Sequence, residues 1–504
     1  MPVRKALRGR ATVLIIAPAP VFGAALVVRR PVARGWYTLP SRGGAQATIS
    51  SGPAVFAGRA ANPHISNKVA VNRLLYIANP FPPKASAGNA RHLRFLHHLP
   101  EFGWEPTVLT GRAKGSVAEP TGVCIERALS PSLDSLNSAA RWVTGVRGRV
   151  RGAGRAATPS LDALRATIFP KPRSADVNRW LFVPDTAVGW VPPAAALGLK
   201  LVRERGFDAI VSSSHYPSTH LVAAWVATRS GLPWLADFRD QWATNRLRVH
   251  KTSVHRRLDF VLERWALDRA TAVTAINQVF ADDLLARYPF LADRVSVLPN
   301  GFDEADTPDE VVLPDGFWFV HTGRLYSRGA PVAEFLDALA TLPADVGVVF
   351  VGVEGTGIRA YADAIGLGDR VRTEPLVPRT RALGFQQAAG ALLLINPPGP
   401  DGTSSKLFEY LHSGRPIFAM TSEDSCAAAI LAESGGGVVP GATRSLAGEL
   451  AQFLGRARSG QVAAPDLATL GRYDARTLTA QLAGLLDAMT GTAAGRPGGS
   501  HLTA

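Results

Sequence analysis

The feature that most constrains the fold is an alternation of short apolar segments with longer helical segments, which occurs in two successive series. The first series begins with RLLYIAN at residues 73–79, followed by a loop, the helical segment RHLRFLHHLPEFG and the apolar run EPTVLTG. The second begins with FWFVHTGRL at residues 317–325 and continues through VGVVFVGVEG and ALLLINPP. Strand, helix and strand within about 40 residues is typical of a parallel βαβ unit. The sequence therefore predicts two doubly wound, Rossmann-like α/β domains that face each other across a cleft.

The predicted domain boundaries follow from these two series and from the length of the chain. At 504 residues the chain exceeds one hydrophobic core, and its 46% hydrophobic content can supply more than one. We assign residues 71–299 to the first Rossmann-like domain and residues 300–470 to the second. Residues 471–490 are predicted to form a closing helix, and residues 491–504 a disordered tail.

Positive charge is concentrated at the amino end of the chain. The formal net charge is +15, and residues 1–70 hold ten Lys or Arg and no Asp or Glu. The remainder is only weakly basic, so the sequence gives no reason to expect a nucleic-acid partner. We interpret residues 1–70 as disordered, or as the product of a start codon assigned too far upstream. A cleaved signal peptide is the alternative, because an apolar run follows the basic start.

Two further features bear on where the protein acts. Residues 141–180 are rich in arginine, which is consistent with a solvated loop or with a partly amphipathic segment that rests on an anionic membrane. Cys124 and Cys426 are far apart and have neither zinc-site nor redox spacing. We expect both to be small buried hydrophobes in a reducing compartment. The predicted location is therefore the cytoplasm, including the inner face of the cell membrane if the basic segment binds lipid.

The segment VHTGRLYSRGAP combines a strand end with two cations. The predicted strand ends at Thr322 and Gly323, and Arg324 and Arg328 precede a helix that begins near Pro331. Two guanidinium groups above a helix amino terminus suit a diphosphate, because fork-shaped donors, backbone N–H groups and the helix dipole all favour an anion. A pair of ordinary surface arginines is the alternative.

The segment DGTSSKLFEYLHSGRP follows another strand of the same predicted domain. Gly402 allows close approach of the backbone, and a helix that starts near Ser404 would turn Lys406 and Glu409 toward the same ligand. Asp401 can accept hydrogen bonds from sugar hydroxyls, and Glu409 from both hydroxyls of a ribose. Alternatively, Asp401 is an ordinary loop residue and Glu409 pairs with a lysine or arginine.

These segments resemble the motifs of family 4 retaining glycosyltransferases, which have the two-domain GT-B fold. That family typically carries Glu, seven residues and Glu, where this chain has Asp401 and Glu409. TGRLYSRG is similar to the family's phosphate site, with Arg328 where lysine is usual. YIANPFPPKASAGNARHL resembles its first strand and glycine loop, with Gly88 as the close-approach residue, and GLPWLADFRDQW resembles a branch that reads Asp-Phe-Arg-Asp-x-Trp.

The resemblance implies transfer of a sugar from a nucleoside diphosphate sugar to an envelope glycan, glycolipid or similar acceptor, with retained anomeric configuration. It implies no metal or other cofactor, an acceptor bound to the first domain and a donor bound to the second. The implied catalytic residues are Arg324, Arg328, Lys406 and Asp401. The implied donor-binding residues are Glu409, Gly402, Ser404, Ser405, Gly323 and Gly88. Candidate sugar or acceptor contacts are His215, Asp237, Arg239 and Asp240.

Two departures from the family pattern leave other functions open. Arg239 stands where many members have a histidine, and Asp401 is one methylene shorter than the usual glutamate. A nucleotide-sugar epimerase of the same fold is one alternative. A catalytically silent protein that binds a sugar nucleotide is another.

Overall fold

The structure is a computed structural model that describes residues 71–491, apart from residues 87, 116, 131–159, 169–181, 246–251, 326–330, 354–356, 397–398, 401 and 442. The predicted extension at residues 1–70 and the predicted tail beyond residue 491 lie outside the described residues. Two predicted site residues, Arg328 and Asp401, also lie outside them.

The amino-terminal lobe is built on a parallel sheet. Its strands are β1 (Asn72–Asn79), β2 (Trp104–Gly111), β3 (Cys124–Ala128), β4 (Ala209–Ser214), β5 (Trp234–Phe238), β6 (Ala272–Ala275) and β7 (Val295–Val297). Among the described residues they lie in the order β3-β2-β1-β4-β5-β6-β7, which is the Rossmann order with one strand added. Leu75 of β1 lies opposite Thr107 of β2 and Ile210 of β4. The strand order reverses between β1 and β4, which creates a crevice at their carboxyl ends.

Helices cover both faces of this sheet, which explains why its central strands are apolar throughout. They are α1 (Asn89–His98), α3 (Val191–Arg205), α4 (Ser218–Ser230), α5 (Ser253–Leu267) and α6 (Gln278–Arg287). Helix α2 (Leu161–Ile168) lies between α1 and α3 in the chain but packs on the carboxyl-terminal lobe. Helices α5 and α6 start at the N-caps Thr252 and Asn277, whose side chains accept backbone hydrogen bonds from His255 and Phe280. Leu74 and Leu75 are fully buried on opposite faces of β1, in two separate cores.

The carboxyl-terminal lobe repeats the same plan. Its strands are β8 (Phe317–Thr322), β9 (Val346–Val351), β10 (Val371–Glu374), β11 (Ala391–Ile395), β12 (Ile417–Met420) and β13 (Gly437–Val438). Its helices are α7 (Val332–Ala340), α8 (Ile358–Ala364), α9 (Arg379–Ala388), α10 (Ser405–His412), α11 (Cys426–Ser434), α12 (Leu446–Arg458), α13 (Leu467–Leu470) and α14 (Ala475–Thr490). Over the described part of this lobe the parallel order is β10-β9-β8-β11-β12-β13, again a Rossmann order. The predicted pair of doubly wound α/β domains is confirmed.

Helix α14 returns the chain to the amino-terminal lobe. Its Leu478, Leu482 and Leu486 are buried in the core beneath β1, and Trp104 Nε1 donates to Asp487 Oδ1 at 3.0 Å. The predicted closing helix therefore stabilises the first lobe rather than the lobe that precedes it in sequence.

Helix α2 attaches the described part of the arginine-rich segment to the carboxyl-terminal lobe. Ile168 is 1% exposed in the core of the carboxyl-terminal lobe, and Arg165 pairs with Glu334 of α7 at 2.7 Å. Gly357 N–H donates to Thr167 O at 3.1 Å, just before α8. In the described part of the segment, residues 160–168, Ile168 thus packs on the carboxyl-terminal lobe while Leu161 is exposed, and membrane contact of the segment stays a prediction. Residues 141–159 and 169–180 lie outside the described residues.

The prediction for the cysteines is wrong for Cys124, which is exposed, and Cys426 is only partly buried. Cys124 begins β3, which among the described strands lies at an edge of the sheet and pairs only with β2. Within residues 71–491, and leaving the gaps aside, no helix combines the length and hydropathy that a membrane crossing requires.

Candidate functional site

The two predicted ligand segments follow the strands at which the order of the second sheet reverses. Gly323 and Arg324 come directly after β8, and the loop from residue 399 to 404 leads from β11 into α10. Strands β8 and β11 are hydrogen-bonded neighbours. Because the carboxyl ends of parallel strands meet at one edge, the fold brings these two segments together at the switch point of the sheet.

Lys406 and Gly323 form the centre of this arrangement. Gly323 has φ +82°, and a Cβ added to it would lie 2.9 Å from Lys406 Cε, so the position requires glycine for its backbone angle and its close contact. Lys406 Nζ donates to Arg324 O at 2.8 Å and lies 3.4 Å from His321 Nε2. Burial of the ammonium group lowers the pKa of Lys406 to about 8, against the opposing attraction of Glu409. Arg324 itself is exposed at the edge of the site.

The amino terminus of α10 presents buried polar groups without partners among the described residues. Ser404 is the N-cap, with extended backbone, and its Oγ makes no capping hydrogen bond. Asn396, at the end of β11, is 2% exposed, and neither its amide oxygen nor its nitrogen has a described partner. The first-turn N–H groups, including those of Ser405 and Lys406, have no acceptor within the helix. Buried, unpaired donors beside a helix amino terminus suit an anion with several oxygens.

Glu409 lies one turn further along α10, in a cluster of charged groups. Its Oε1 accepts from Arg379 Nη1 at 2.6 Å and from Arg94 Nη2 at 3.4 Å, and Gln386 Nε2 lies 3.5 Å from Oε2. Arg379 also pairs with Asp306. Burial alone would lower the pKa of Arg379, but attraction to Glu409 and Asp306 outweighs it and raises that pKa. The pairing of Glu409 with arginine, left open by the sequence, therefore occurs, and it occupies mainly one of the two carboxylate oxygens.

Four predicted residues of the first lobe also lie together. Gly88 contacts Arg239 so closely that a Cβ added to Gly88 would lie 1.3 Å from Arg239 Nη1. Arg239 Nη2 donates to Asp240 Oδ2 at 3.1 Å and lies 3.4 Å from His215 Nδ1. Arg239 is 9% exposed, and its Nη1 has no hydrogen-bond partner in the described part of the chain. The carboxyl ends of β4 and β5 and the start of α1 thus form a second polar cluster.

The structure corrects the role of Asp237, whose carboxylate binds other partners than this cluster. Asp237 is 1% exposed, and Arg91 donates to its two oxygens at 2.8 and 3.0 Å. Ser213 and Thr274 donate to the same carboxylate at 2.5 and 2.8 Å. Burial would raise the pKa of Asp237, but Arg91 and these hydrogen bonds lower it to about 2. Asp237 is a structural counter-ion, because its oxygens are already occupied.

Among the polar contacts that connect the lobes in the described part of the chain, two lie close to α10. Asn277, the N-cap of α6, has its Nδ2 3.4 Å from Thr403 Oγ1, beside the start of α10. Arg94 of α1 donates to Gly301 O in the connection between the lobes as well as to Glu409. Neither Arg94 nor Arg379 was identified from the sequence, because their partners are 315 and 30 residues away and no local pattern marks such a pair.

Within the described ranges, no group of three or more His, Cys, Asp or Glu side chains is placed to hold a metal ion. Among the described residues, Arg324, Lys406 and the amino terminus of α10 are positive groups at the carboxyl edge of the second sheet.

Comparisons with known proteins show which sequence family and which solved structures the chain is similar to. A sequence model described as Glycosyltransferase Family 4 matches residues 90–306, which make up most of the first lobe. None of the curated protein sequences compared with the chain is a match.

Solved structures match both lobes. Alr3699/HepE of Anabaena, crystallised with UDP, is 18% identical, with 83% of this chain and 100% of that chain covered at a TM-score of 0.53. A glycosyltransferase of Rickettsia africae is 9% identical, with coverage of 83% and 98% and a TM-score of 0.51. WaaG, a glycosyltransferase involved in lipopolysaccharide biosynthesis, is 14% identical, with coverage of 84% and 100% and a TM-score of 0.50. The chain therefore has the GT-B fold, and its amino-terminal lobe matches Glycosyltransferase Family 4.

Proposed function

We propose that the protein is a retaining glycosyltransferase that moves a sugar from a nucleoside diphosphate sugar to an envelope glycan, a glycolipid or a similar acceptor. The observation that carries the proposal is the convergence of Gly323, Arg324, Lys406 and the amino terminus of α10 at the switch point of the second sheet. This arrangement offers two cations and unpaired donors to one diphosphate-sized anion. The match of the first lobe to Glycosyltransferase Family 4 supports the same reaction class.

The chemical task of these residues is to stabilise the departing diphosphate. In the proposed step the bond between the anomeric carbon and the phosphate oxygen breaks while the acceptor hydroxyl forms a new bond on the same face. The acceptor proton passes to the leaving phosphate. Lys406, Arg324 and the first-turn N–H groups would offset the developing negative charge in fixed positions, which is an efficient form of electrostatic catalysis. We assign no protein nucleophile and no metal.

Glu409 and the first-lobe cluster complete the proposed assignment. Oε2 of Glu409 lies 3.5 Å from Gln386 Nε2, whereas Oε1 is held by two arginines, which leaves Oε2 as the oxygen for ribose hydroxyls. Arg239 Nη1, which has no partner among the described residues, and His215 beside it would contact the transferred sugar or the acceptor. Arginine remains charged at all working pH values, so Arg239 would act there as a hydrogen-bond donor and not as a base.

Arg324→Ala should weaken donor binding and turnover at least tenfold, because a hydrogen bond to a charged group contributes about 1.5–3 kcal/mol. UDP-sugars are the first donors to test, since the Anabaena protein of the same fold was crystallised with UDP and with UDP-glucose. Affinity is measured by calorimetry and turnover by release of the nucleoside diphosphate. Arg203→Ala, an exposed arginine on α3, is the matched control and should change neither value.

Three outcomes of these assays would contradict the proposal. Unchanged kinetics of Arg324→Ala would contradict the assignment of the phosphate site. Formation of a different nucleotide sugar from the donor alone would indicate an epimerase. Absence of turnover with every donor and acceptor, despite donor binding, would indicate a silent binding protein.

The enzymatic activity should persist in EDTA. Loss of activity in EDTA with rescue by Mg²⁺ would refute the metal-free mechanism.

Donor affinity should fall as the pH rises above about 8. Lys406 has a pKa of about 8 in the unliganded protein, so it is charged below that pH and loses its charge above it. A bound diphosphate favours the charged form, so binding above pH 8 requires proton uptake, and affinity decreases by up to about tenfold per pH unit. The measurement is titration with a nucleoside diphosphate sugar, whose phosphates do not titrate between pH 6.5 and 9, at constant ionic strength.

Arg324→Ala provides the control for this pH dependence. It should bind more weakly at each pH but keep the same slope, because Lys406 is still present. An affinity that is equal at pH 7 and pH 9 would show that Lys406 does not contact the donor.

A further inference from the structure

Helix α5 exposes large apolar side chains on the face that points away from its own lobe. Val254 is 58% exposed, Leu258 41% and Val261 62%. They are spaced four and three residues apart and therefore lie along one side of the helix, followed by the partly buried Trp265. We call these four residues the α5 stripe. A continuous exposed apolar stripe on a surface helix indicates a contact with another apolar phase or protein.

Buried carboxylates on the inner face of α5 form hydrogen bonds with the rest of the lobe. These bonds prevent the helix from rotating about its axis to bury the stripe. Asp259 Oδ1 accepts from Trp242 Nε1 at 2.9 Å. Glu263 is 0% exposed, accepts from Ala243 N–H at 3.2 Å and from the Tyr288 hydroxyl at 2.8 Å, and pairs with Arg287. Rotation would break these contacts and leave buried charges without partners, which is costly.

Cations flank the stripe. At about 100° per residue, Arg257 and Arg264 lie about 40° and 60° from Val261 around the helix. Both are exposed, and neither forms an ion pair with a carboxylate of the described residues. Arg269 stacks over Trp265 at 4.4 Å. The acids of α5 itself, Asp259 and Glu263, point inward, and the exposed Asp268 lies only at the carboxyl end of the helix. Most of the outward face is therefore basic as well as apolar.

These properties favour an anionic bilayer over a second protein as the occupant. The stripe runs over eleven residue steps, or about 16 Å, and one helix is about 10 Å wide, so the stripe covers on the order of 160 Å². That is far less than the roughly 800 Å² per partner of a stable protein interface. A symmetric contact between two copies would also set arginines against arginines. A bilayer surface accepts a short apolar stripe, anionic headgroups pair with flanking arginines, and tryptophan is favoured at the interface. We propose that the outward face of α5 binds the surface of an anionic membrane.

The position of α5 connects this surface to the cleft. The helix follows the strand end that carries Arg239 and Asp240, and Trp242 and Ala243 contact its inner face. A bilayer on the α5 stripe would therefore lie on the far side of the helix from Trp242 and Ala243, about one helix diameter, roughly 10 Å, away. Resting on the proposed function, this placement favours an acceptor that is anchored in lipid over a soluble one.

The test is co-sedimentation of the full-length protein with vesicles of phosphatidylcholine alone or with 30% phosphatidylglycerol, in the absence of donor and acceptor. Wild type should bind only the anionic vesicles. Val254→Ser combined with Leu258→Ser and Val261→Ser should lower the partition coefficient at least tenfold, and Arg257→Gln with Arg264→Gln roughly thirtyfold. The matched controls are Val312→Ser with Leu376→Ser, which are 86% and 62% exposed on the other lobe, and Arg203→Gln. The controls should bind as wild type does.

A local probe separates this surface from the ten cations of residues 1–70, which attract anionic vesicles by themselves. A polarity-sensitive dye on Val261→Cys, in a background with both native cysteines changed to serine, should shift to the blue with anionic vesicles. The same dye on Val312→Cys should not shift. Equal shifts at both positions, or unchanged partition of both stripe variants, would overturn the proposal. A lipid-free dimer that dissociates in the stripe variants would identify a second copy as the occupant instead. Retained thermal stabilisation by UDP-sugar in those variants would separate failure of the membrane contact from failure of the proposed reaction.

Discussion

Replacing Lys406 with alanine should lower kcat with a nucleoside diphosphate sugar by about 100- to 1000-fold, the loss seen when one preorganised donor to a developing anion is removed. Lys406 is held in place by Arg324 O at 2.8 Å and by contact with Gly323, so little reorganisation is needed when the diphosphate departs. The fall should be larger in kcat than in donor affinity, since the charge on the diphosphate grows as the bond breaks. Single-turnover kinetics with saturating donor measures this step.

Two further variants show whether such a loss reflects lost charge or lost packing. Lys406→Met keeps most of the aliphatic stem beside Gly323 and should be as inactive as the alanine variant. Lys200→Ala removes an exposed lysine of α3 whose partner is Glu204, 3.7 Å away, and should be fully active. If Lys406→Met retained wild-type kcat, the ammonium group would have no part in the reaction.

Asp237→Asn should be the most destabilising conservative change in the first lobe. The carboxylate is 1% exposed and is the described counter-ion of Arg91, whose guanidinium also donates to Leu298 O and Pro299 O at the connection between the lobes. Breaking a buried ion pair from one side costs about 3–5 kcal/mol, because it leaves the remaining charge unpaired in a dry site. The expected result is a lower midpoint of urea denaturation at pH 7, with unfolding monitored by tryptophan fluorescence.

Asp240→Asn is the matched control for this change, since it alters the same chemical group three residues away. Asp240 is 43% exposed and accepts from Arg239 at 3.1 Å, so we expect a loss below about 1 kcal/mol. The two variants should also differ in acid. The pKa of Asp237 is lowered to about 2, so its stabilisation is present above about pH 4 and is lost as the pH falls toward 2. Equal stability of Asp237→Asn and wild type at pH 7 would refute the structural role.

Much of the fold could be predicted from local patterns. The apolar runs at β1, β2, β4, β8, β9 and β11 stand out because both faces of a parallel sheet are buried. Strand β3 and helix α3 gave no such signal. Strand β3 reads CIERA and lies at an edge with one buried residue, and α3 begins with Val191 followed by two prolines and contains Gly198. Edge exposure and helix-breaking residues remove the periodicity on which prediction depends.

The candidate site was predictable only in part. The positions of Gly323, Lys406 and the start of α10 could be predicted because each follows a recognisable strand, and strand ends are where ligands bind in this class of fold. The burial of Asp237 and the pairing of Glu409 with two arginines were not. The two aspartates of DFRD look alike in sequence, yet the Asp237 side chain is 1% exposed and that of Asp240 is 43% exposed.

The sequence by itself determined the alternation of strands and helices, and hence which loops stand at the carboxyl edges of the two sheets, because these depend on the periodicity of neighbouring residues. Only the tertiary structure decided which charged side chains form ion pairs with each other and which are left exposed. Arg94 and Glu409 are 315 residues apart, and Arg91 and Asp237 are 146 apart. Ion pairs and hydrogen bonds depend on side chains lying within a few ångströms of each other in space. A local sequence pattern does not show which distant residues come that close.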